Sequence, residues 1–224
     1  VLSIKPDTDA YYNMGNALKE QSKLEEAIEA YNKAISIKPD YAEAYYNMGI
    51  ALQDQGKLEE AIQAYTKALS IKPDYSEAYY NLGLILRGIV FNKPNRDLQK
   101  TIVSILEKKR YIRPKDIATA AISLLKLDPN LKKHLEVIDT GVLESPLDVI
   151  SDLSDLPLLL KLMSVCPLPD LELEKLFKRL RCVILSNVLD IKDASPELLK
   201  FQSALALQCF INEYIYDQSE DEEK

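Results

Sequence analysis

Asparagines recur along the first part of the 224-residue chain at intervals of 34 residues. They are Asn13, Asn47 and Asn81, and a tyrosine precedes each of them, at Tyr12, Tyr46 and Tyr80. An asparagine side chain offers both a donor and an acceptor, so it can pair with the N–H and the C=O of a peptide backbone. A neighbouring tyrosine adds amphipathic contact area and loses little conformational entropy when it is ordered. The pattern therefore predicts a ladder of polar groups suited to an extended polypeptide.

Each asparagine belongs to a stripe of residues spaced i, i+3, i+4 and i+7, which is the spacing of one helix face. An acidic residue begins the stripe in each copy, at Asp9, Glu43 and Glu77. The candidate peptide-binding residues taken from these stripes are Tyr12, Asn13, Asn16, Glu43, Tyr46, Asn47, Ile50, Glu77, Tyr80, Asn81 and Leu84. A structural alternative stays open, in which the asparagines and tyrosines only hydrogen-bond the next helix.

Residues that could support catalysis or bind a metal are sparse. His134 is the only histidine, which excludes a Ser-His-Asp triad and a histidine metal cluster, and we expect it on the surface of a short helix. The cysteines, Cys166, Cys182 and Cys209, form no C-x-x-C pair, so we expect small buried hydrophobes in a reducing, cytoplasmic compartment. We therefore predict no catalytic site, no metal and no cofactor.

The charge balance bears on the class of partner. A formal net charge of −7 argues against nucleic acid, because phosphate binding needs a basic face. Residues 93–133 hold eleven Lys or Arg against four Asp or Glu, which we interpret as a solvated helix face. The sequence has no apolar run of the roughly 18 residues that a membrane span needs, and its first residues do not have the pattern of a signal peptide. We expect no membrane partner.

The stripes lie in a repeated segment. Residues 10–41 and 44–75 are identical at 25 of 32 aligned positions, and a third copy begins at Ala78. Apolar residues recur in each copy with helical spacing, and Pro39 and Pro73 cannot continue a helix. Each copy is therefore predicted to be a helical hairpin that buries its apolar face against its neighbours. Residues 2–7 match the close of the later copies, so we expect residues 1–7 to be the end of a preceding repeat.

The repeat resembles the tetratricopeptide repeat (TPR) family. The family's pattern of large, small and aromatic positions with a closing proline is carried in the first copy by Tyr11, Met14, Gly15, Leu18, Ala27, Tyr31, Ala34 and Pro39. The second copy carries it at Tyr45, Met48, Gly49, Leu52, Ala61, Tyr65, Ala68 and Pro73. The resemblance implies an all-α fold, a TPR superhelix (α-solenoid) followed by a further helical region. It also implies that the stripes line a concave groove that holds ligands.

One TPR subtype clamps the C-terminal carboxylate of chaperones with two asparagines and three basic residues. Asn16 and Asn47 occupy the two asparagine places, but Tyr12, Glu77 and Asn81 occupy the three basic ones. The acidic residues of the stripes would also repel a carboxylate. We therefore exclude the clamp and predict a protein or peptide ligand that is neutral or basic.

On this interpretation the chain comprises the end of a repeat (1–7), three repeats (8–41, 42–75 and 76–110, the last with a degenerate second half), a helical region (111–216) and an acidic tail or linker (217–224). Beyond the repeats, predicted helices begin near Asn95, Pro114, Pro146, Pro157 and Pro196. A helix over Leu171–Val188 is predicted to bury Leu173, Leu176, Phe177, Leu180 and Ile184. The last helix is predicted to run through Leu199, Ala206, Phe210 and Tyr214.

The stretch from Ala204 to Tyr214 resembles the helical region upstream of the catalytic domain in bacterial TPR-containing methyltransferases. That resemblance implies that the chain positions a substrate for an S-adenosylmethionine-dependent domain, although the chain itself has no strand followed by a Gly-rich turn. The leading prediction is a protein–protein interaction scaffold without catalytic activity. The alternatives are such a non-catalytic methyltransferase fragment and a self-associating module that forms homo-oligomers by repeat stacking.

Overall fold

The computed structural model describes residues 7–108, 111–138, 146–186 and 196–212. Within these ranges it contains twelve α-helices and no strand, which confirms the predicted all-α fold. Among the described residues, no helix is long and apolar enough to span a membrane. The predictions for residues 1–6 and for the acidic tail 217–224 lie outside the described residues.

The chain divides into two compact units, residues 1–86 and 87–224. The boundary falls inside the range 76–110 that we predicted for the third repeat. Only the first helix of that range belongs to the first unit. The helices described in the first unit are α1 (Thr8–Glu20), α2 (Leu24–Ile37), α3 (Ala42–Asp54), α4 (Leu58–Ile71) and α5 (Ser76–Ile85).

The first unit is built from helical hairpins that stack in chain order. Helix α1 packs against α2, α3 packs against α4, and the hairpins meet where α2 packs against α3 and α4 against α5. Ala27 and Tyr31 of α2 form a buried cluster with Ala51 of α3, and Met48 packs against it. The apolar stripe of α3 is thus covered by α2, and that of α5 by α4.

Gly15 and Gly49 allow the two helices of each hairpin to approach closely. A Cβ atom built on Gly15 would lie 2.5 Å from Cε1 of Tyr31, and one built on Gly49 would lie 2.7 Å from Cε1 of Tyr65. Both tyrosines are fully buried. The small residue of the first helix is therefore required by the aromatic residue of the second helix.

The turns inside the two hairpins have the same backbone but different residues. Ser22 has a φ of 60° and Gly56, its equivalent 34 residues later, has a φ of 76°. This left-handed conformation costs an L-residue roughly 1–2 kcal/mol, whereas glycine adopts it freely. The first turn is therefore strained where the second is not.

A strip on α1, the α1 strip, differs in burial from its equivalent on α3. Its residues Ala10, Met14 and Ala17 are exposed, with Met14 at 42%. The equivalent residues of α3 are Ala44, Met48 and Ala51. Ala44 and Ala51 are fully buried and Met48 is half-buried against the first hairpin. The same sequence pattern thus belongs to the core only where a second helix covers it.

The second unit consists of α6 (Arg96–Lys108), α7 (Pro114–Leu125), α8 (Pro129–Glu136), α9 (Pro146–Ser154), α10 (Pro157–Val165), α11 (Leu171–Ser186) and α12 (Pro196–Asn212) in its described residues. Local signals explain where these helices begin. Asn95 Oδ1 accepts a hydrogen bond from the Leu98 N–H at 2.9 Å, as expected of a helix cap, and proline begins the helices from α7 to α10 and α12. Asp128 also caps a helix, α8, by accepting a hydrogen bond from the Asn130 N–H at 3.0 Å.

Helix α10 is the centre of the second unit, where it contacts α6, α7, α9 and α12. The apolar stripe predicted on α11 is buried at Leu173, Leu176, Phe177, Leu180 and Ile184. Helix α12 runs through Leu199, Ala206 and Phe210, as predicted. Leu199 and Ala206 are exposed, and the helix buries Phe201, Ala204, Leu205 and Gln208. Three parts of these predictions lie outside the described residues: the side chain of Phe210, residues 187–188 and Tyr214.

Candidate functional site

Asn47 connects the candidate residues of the first two repeats. Its Nδ2 donates to Tyr12 Oη at 2.9 Å and to Asn16 Oδ1 at 3.0 Å. Asn16 Oδ1 also accepts from Tyr31 Oη at 2.8 Å. Both N–H groups of the Asn47 amide are therefore used inside the protein. The group that Asn47 leaves for a ligand is its carbonyl oxygen, so it does not offer the paired donor and acceptor expected from the sequence.

Asn81 repeats this contact only in part. Its Nδ2 donates to Tyr46 Oη at 3.2 Å, which corresponds to the Asn47–Tyr12 contact one repeat earlier. The residue equivalent to Asn16 is Ile50, which cannot accept a hydrogen bond. Burial raises the pKa of Tyr65 and a hydrogen bond from Asn81 opposes that shift, so the Tyr65 hydroxyl is a second partner of Asn81 inside the protein. Asn13 is exposed.

The same substitution redirects a buried tyrosine in the second repeat. Tyr65 corresponds to Tyr31, but its hydroxyl donates to Gln53 Oε1 at 2.9 Å. Gln53 was not among the candidate residues, since it lies one helical turn beyond Ile50. The lysine at the equivalent place in the first repeat, Lys19, gave no reason to expect this partner.

Aromatic rings are paired along the face that the candidate residues share. The ring centroids of Tyr12 and Tyr41 are 5.0 Å apart, and those of Tyr46 and Tyr75 are 4.7 Å apart, both pairs being tilted. Tyr12 and Tyr46 are half-buried as a result. Tyr80, their equivalent in α5, is 51% exposed. Ile50 and Leu84 are half-buried, so the face presents apolar surface between its polar groups.

The acidic residues at the start of the stripes have different surroundings. Asp9 Oδ1 accepts from Tyr41 Oη at 3.3 Å. Glu43 Oε1 lies 3.2 Å from the Lys72 ammonium nitrogen, and its charge is thereby largely balanced. Glu77 is exposed and forms no ion pair with a described residue. The three carboxylates are therefore not equivalent toward a charged ligand.

The ionisation of the site follows from burial and from these partners. Burial, followed by the charge of Asp9, raises the pKa of Tyr41 to about 12. Burial is also the main reason why the pKa values of Tyr31, Tyr65 and Tyr75 are well above the usual value. Burial alone would raise the pKa of Glu43, but backbone hydrogen bonding and the Lys72 ammonium together lower it. At neutral pH the hydroxyls are thus donors and Glu43 is ionised.

Outside this face, the predicted position of His134 is wrong. The residue is 3% exposed, and its Nε2 lies 2.8 Å from Asp152 Oδ2, which also accepts from Lys133 Nζ at 2.6 Å. Hydrogen bonding from Lys133 is the main cause that lowers the pKa of Asp152. His134 therefore links α8 to α9, and its apolar neighbours at Leu131 and Leu135 were the sequence signal that it faces inward.

Cys166 and Cys182 differ in burial. Cys166 is buried, and burial raises the pKa of its thiol to about 11. Cys182 is only half-buried, which corrects the expectation of a fully buried residue, and the side chain of Cys209 is outside the description. Within the described residues, no group of three or more His, Cys, Asp or Glu side chains is placed to hold a metal.

A cavity of about 590 Å³ lies in the second unit, beside the start of α7. Arg87 and Arg113 both reach into its wall, where each contacts Asp116 Oδ2, at 3.4 and 3.1 Å respectively. The carboxylate partly balances the two guanidinium groups.

Comparisons with known proteins concern the first unit. Residues 15–56 match a family model described as TPR repeat, and residues 42–75 match one described as tetratricopeptide repeat. A comparison with curated proteins found no match. Neither family match extends beyond residue 75, so nothing here supports the resemblance of the last third to bacterial methyltransferases. Together with the stacked hairpins, these matches identify residues 15–75 as tetratricopeptide repeats.

Proposed function

We propose that the first unit binds an extended peptide, or an extended segment of a partner protein, along the face shared by α1, α3 and α5. Tetratricopeptide repeats generally mediate protein–protein interactions, which supports an interaction role for residues 15–75. The hydrogen bonds from Asn47 to Tyr12 and Asn16 carry the proposal further. They join the candidate residues of neighbouring repeats into one surface. They also fix the orientation of the Asn47 amide, so that its carbonyl oxygen is available to accept a hydrogen bond from a ligand.

An acceptor that is half-buried and held by two hydrogen bonds is well suited to a peptide N–H. It is already oriented, so binding requires little further loss of side-chain entropy. The Tyr12–Tyr41 and Tyr46–Tyr75 ring pairs beside it repeat at the same interval and offer apolar contact to alternate side chains of an extended ligand. The ligand would therefore combine backbone hydrogen bonds with apolar side chains.

The charge of the face favours a neutral or basic ligand. Asp9 and Glu77 add negative charge, while Glu43 is balanced by Lys72. An acidic ligand would meet like charge on entry, which slows association and weakens the complex.

Titration with fluorescently labelled acidic, neutral and basic peptide pools tests the proposal. We expect the basic and neutral pools to bind more tightly than the acidic pool. Asn47→Ala should weaken binding about 2–10-fold, which corresponds to one hydrogen bond of roughly 0.5–1.5 kcal/mol. Preference for the acidic pool, or no binding by any pool, contradicts the proposal.

Tyr12→Phe is the matched control for Asn47→Ala. It removes the hydroxyl that Asn47 contacts but keeps the ring and the Asn47 carbonyl oxygen. We expect Tyr12→Phe to retain most of the peptide affinity. Equal loss in the two variants would show that the contact between repeats matters and that the carbonyl oxygen does not bind the ligand.

Self-association is a second candidate, favoured by the exposed α1 strip of Ala10, Met14 and Ala17. The equivalent strip of α3 packs against the second helix of another hairpin, so the same kind of helix from a second copy of the chain would fit the α1 strip. Sedimentation over a range of concentrations tests it, with Met14→Glu as the variant that should abolish any dimer. A monomer at all concentrations removes this candidate.

A further inference from the structure

A lysine is held inside the second repeat by an acidic and an aromatic group together. The Lys72 ammonium nitrogen lies 3.2 Å from Glu43 Oε1 and 4.6 Å from the centroid of the Tyr75 ring. A cation placed between a carboxylate and the face of a ring gains from both, because the ring face carries partial negative charge. The protein therefore displays a complete recognition site for an ammonium group, filled by its own chain.

The third predicted repeat contains the acidic part of this arrangement. Glu77 is the equivalent of Glu43, 34 residues later, but it is exposed and forms no ion pair with a described residue. The carboxylate that Lys72 balances in the second repeat is therefore not balanced by a described lysine in the third.

An exposed aromatic ring accompanies Glu77. Tyr80 lies three residues further along α5, so the two side chains are neighbours on one helix surface. Its equivalents, Tyr12 and Tyr46, are covered by Tyr41 and Tyr75, but Tyr80 is 51% exposed. The ring face is thus open to a ligand at the same end of the candidate face as the unbalanced carboxylate.

We infer that Glu77 and Tyr80 form a subsite for a lysine or arginine side chain of the bound peptide. This inference rests on the proposed function, because the subsite is part of the same face. It also refines the predicted preference for a basic ligand: the cation binds at the α5 end, and not at Glu43, where Lys72 already occupies the carboxylate.

Two labelled peptide pools test the subsite directly. They are identical except that one fixed position is lysine in the first pool and norleucine in the second, which keeps the apolar stem and removes the charge. In the wild-type chain the lysine pool should bind more tightly. Glu77→Gln should reduce that lysine-to-norleucine ratio about 2–5-fold, the range of an exposed ion pair, and Tyr80→Leu should reduce it by a similar factor.

Asp74→Asn is the matched control for Glu77→Gln. Asp74 is an exposed carboxylate three residues before Glu77, so the control changes the net charge by the same amount while it leaves Glu77 and Tyr80 in place. It should leave the lysine-to-norleucine ratio unchanged. Added salt should lower the ratio in the wild type and in Asp74→Asn, but have little effect in Glu77→Gln.

Failure of the subsite and failure of the proposed function give different results. If both pools bind and Glu77→Gln leaves their ratio unchanged, the subsite is wrong and the peptide-binding face remains. The same conclusion follows if Asp74→Asn lowers the ratio as much as Glu77→Gln does. If neither pool binds to the wild-type chain, the proposed function is contradicted and the subsite with it.

Discussion

Asn47 Nδ2 lies 2.9 Å from Tyr12 Oη, and this hydrogen bond crosses from the second repeat to the first. A contact between first helices that are adjacent in the stack has two effects. It ties the hairpins together beside the apolar cluster that Tyr12 packs against, and it leaves the amide oxygen of Asn47 as the group that a ligand meets. The stability of the first unit and its proposed binding of a ligand therefore both depend on Asn47. Substitutions at Asn47 and at its equivalent Asn81 can separate the two effects.

Asn47→Ala should destabilise the first unit more than Asn81→Ala. Asn47→Ala removes two hydrogen bonds of 2.9 and 3.0 Å and leaves the Tyr12 hydroxyl without that donor. Asn81→Ala removes a longer hydrogen bond of 3.2 Å to Tyr46 and an interaction with the Tyr65 hydroxyl, which keeps Gln53 as its partner. With about 0.5–1.5 kcal/mol for each bond, we expect losses of roughly 1–3 and 0.5–1.5 kcal/mol in the free energy of unfolding. Urea titration followed by far-ultraviolet circular dichroism measures both. Equal losses would contradict the geometry.

Gly49→Ala should lower the free energy of unfolding by up to about 2 kcal/mol. Alanine favours a helix by roughly 1 kcal/mol relative to glycine, but its Cβ would lie 2.7 Å from the buried ring of Tyr65, and overpacking of this kind costs about 1–3 kcal/mol. The double variant with Tyr65→Leu isolates the clash. In that background Gly49→Ala should be neutral or stabilising. A loss of the same size in both backgrounds would show that the ring is not the cause.

Ser22→Gly should stabilise the protein, and Gly56→Ser should destabilise it, each by about 1 kcal/mol. The two residues occupy the same left-handed turn position in successive hairpins, with φ values of 60° and 76°. Because the turns are equivalent, the double variant that combines Ser22→Gly with Gly56→Ser should have nearly the same free energy of unfolding as the wild type. Thermal unfolding of the single and double variants checks this, and a stabilising Gly56→Ser would contradict the strain argument.

Met14→Glu and Met48→Glu form a pair that reports on stacking. Met14 is 42% exposed on α1, so the substitution should cost about 1 kcal/mol or less. Met48 packs against Ala27 and Tyr31, and a carboxylate there would have to be buried beside apolar groups. We expect a loss of roughly 2–4 kcal/mol for Met48→Glu. Similar losses in urea titrations would show that the α1 strip is covered.

The first unit should lose stability as the pH rises above about 10, the usual pKa of tyrosine. Tyrosines with a raised pKa in the folded state stabilise it fully below the unfolded value. That contribution disappears as the pH rises toward the folded value, which is about 12 for Tyr41. Tyr31, Tyr65 and Tyr75 act in the same direction. Urea midpoints between pH 8 and 11.5 measure the loss, which should be smaller in Tyr41→Phe. A pH-independent midpoint would contradict it.

The features that followed from sequence are those set by neighbours along the chain. Helix starts at Asn95 and at the prolines depend on a cap or a fixed φ angle, so a few residues suffice to predict them. The hairpins were predictable for a related reason. Their pattern recurs after 34 residues, and a repeated pattern limits the arrangements that bury it.

The features that did not follow depend on contacts between distant residues. Tyr31 and Tyr65 occupy equivalent positions, yet their hydroxyls reach Asn16 and Gln53, because Ile50 replaces the first partner. The Lys72–Glu43 ion pair joins residues 29 apart across a hairpin, and no local spacing indicates it. The structural differences between the two similar repeats were thus the hardest features to predict from the sequence, and they say most about the candidate site.

The near identity of the first two hairpins has a consequence for how the chain folds. Because α2 and α4 present almost the same side chains, α1 could pair with either of them during folding. Pairing with α2 closes the turn 21–23, whereas pairing with α4 closes the segment 21–57. The longer closure is less favourable by about 2 kcal/mol of chain entropy, so the local partner wins by roughly thirtyfold. Short turns thereby protect a self-similar polypeptide from mispairing with itself.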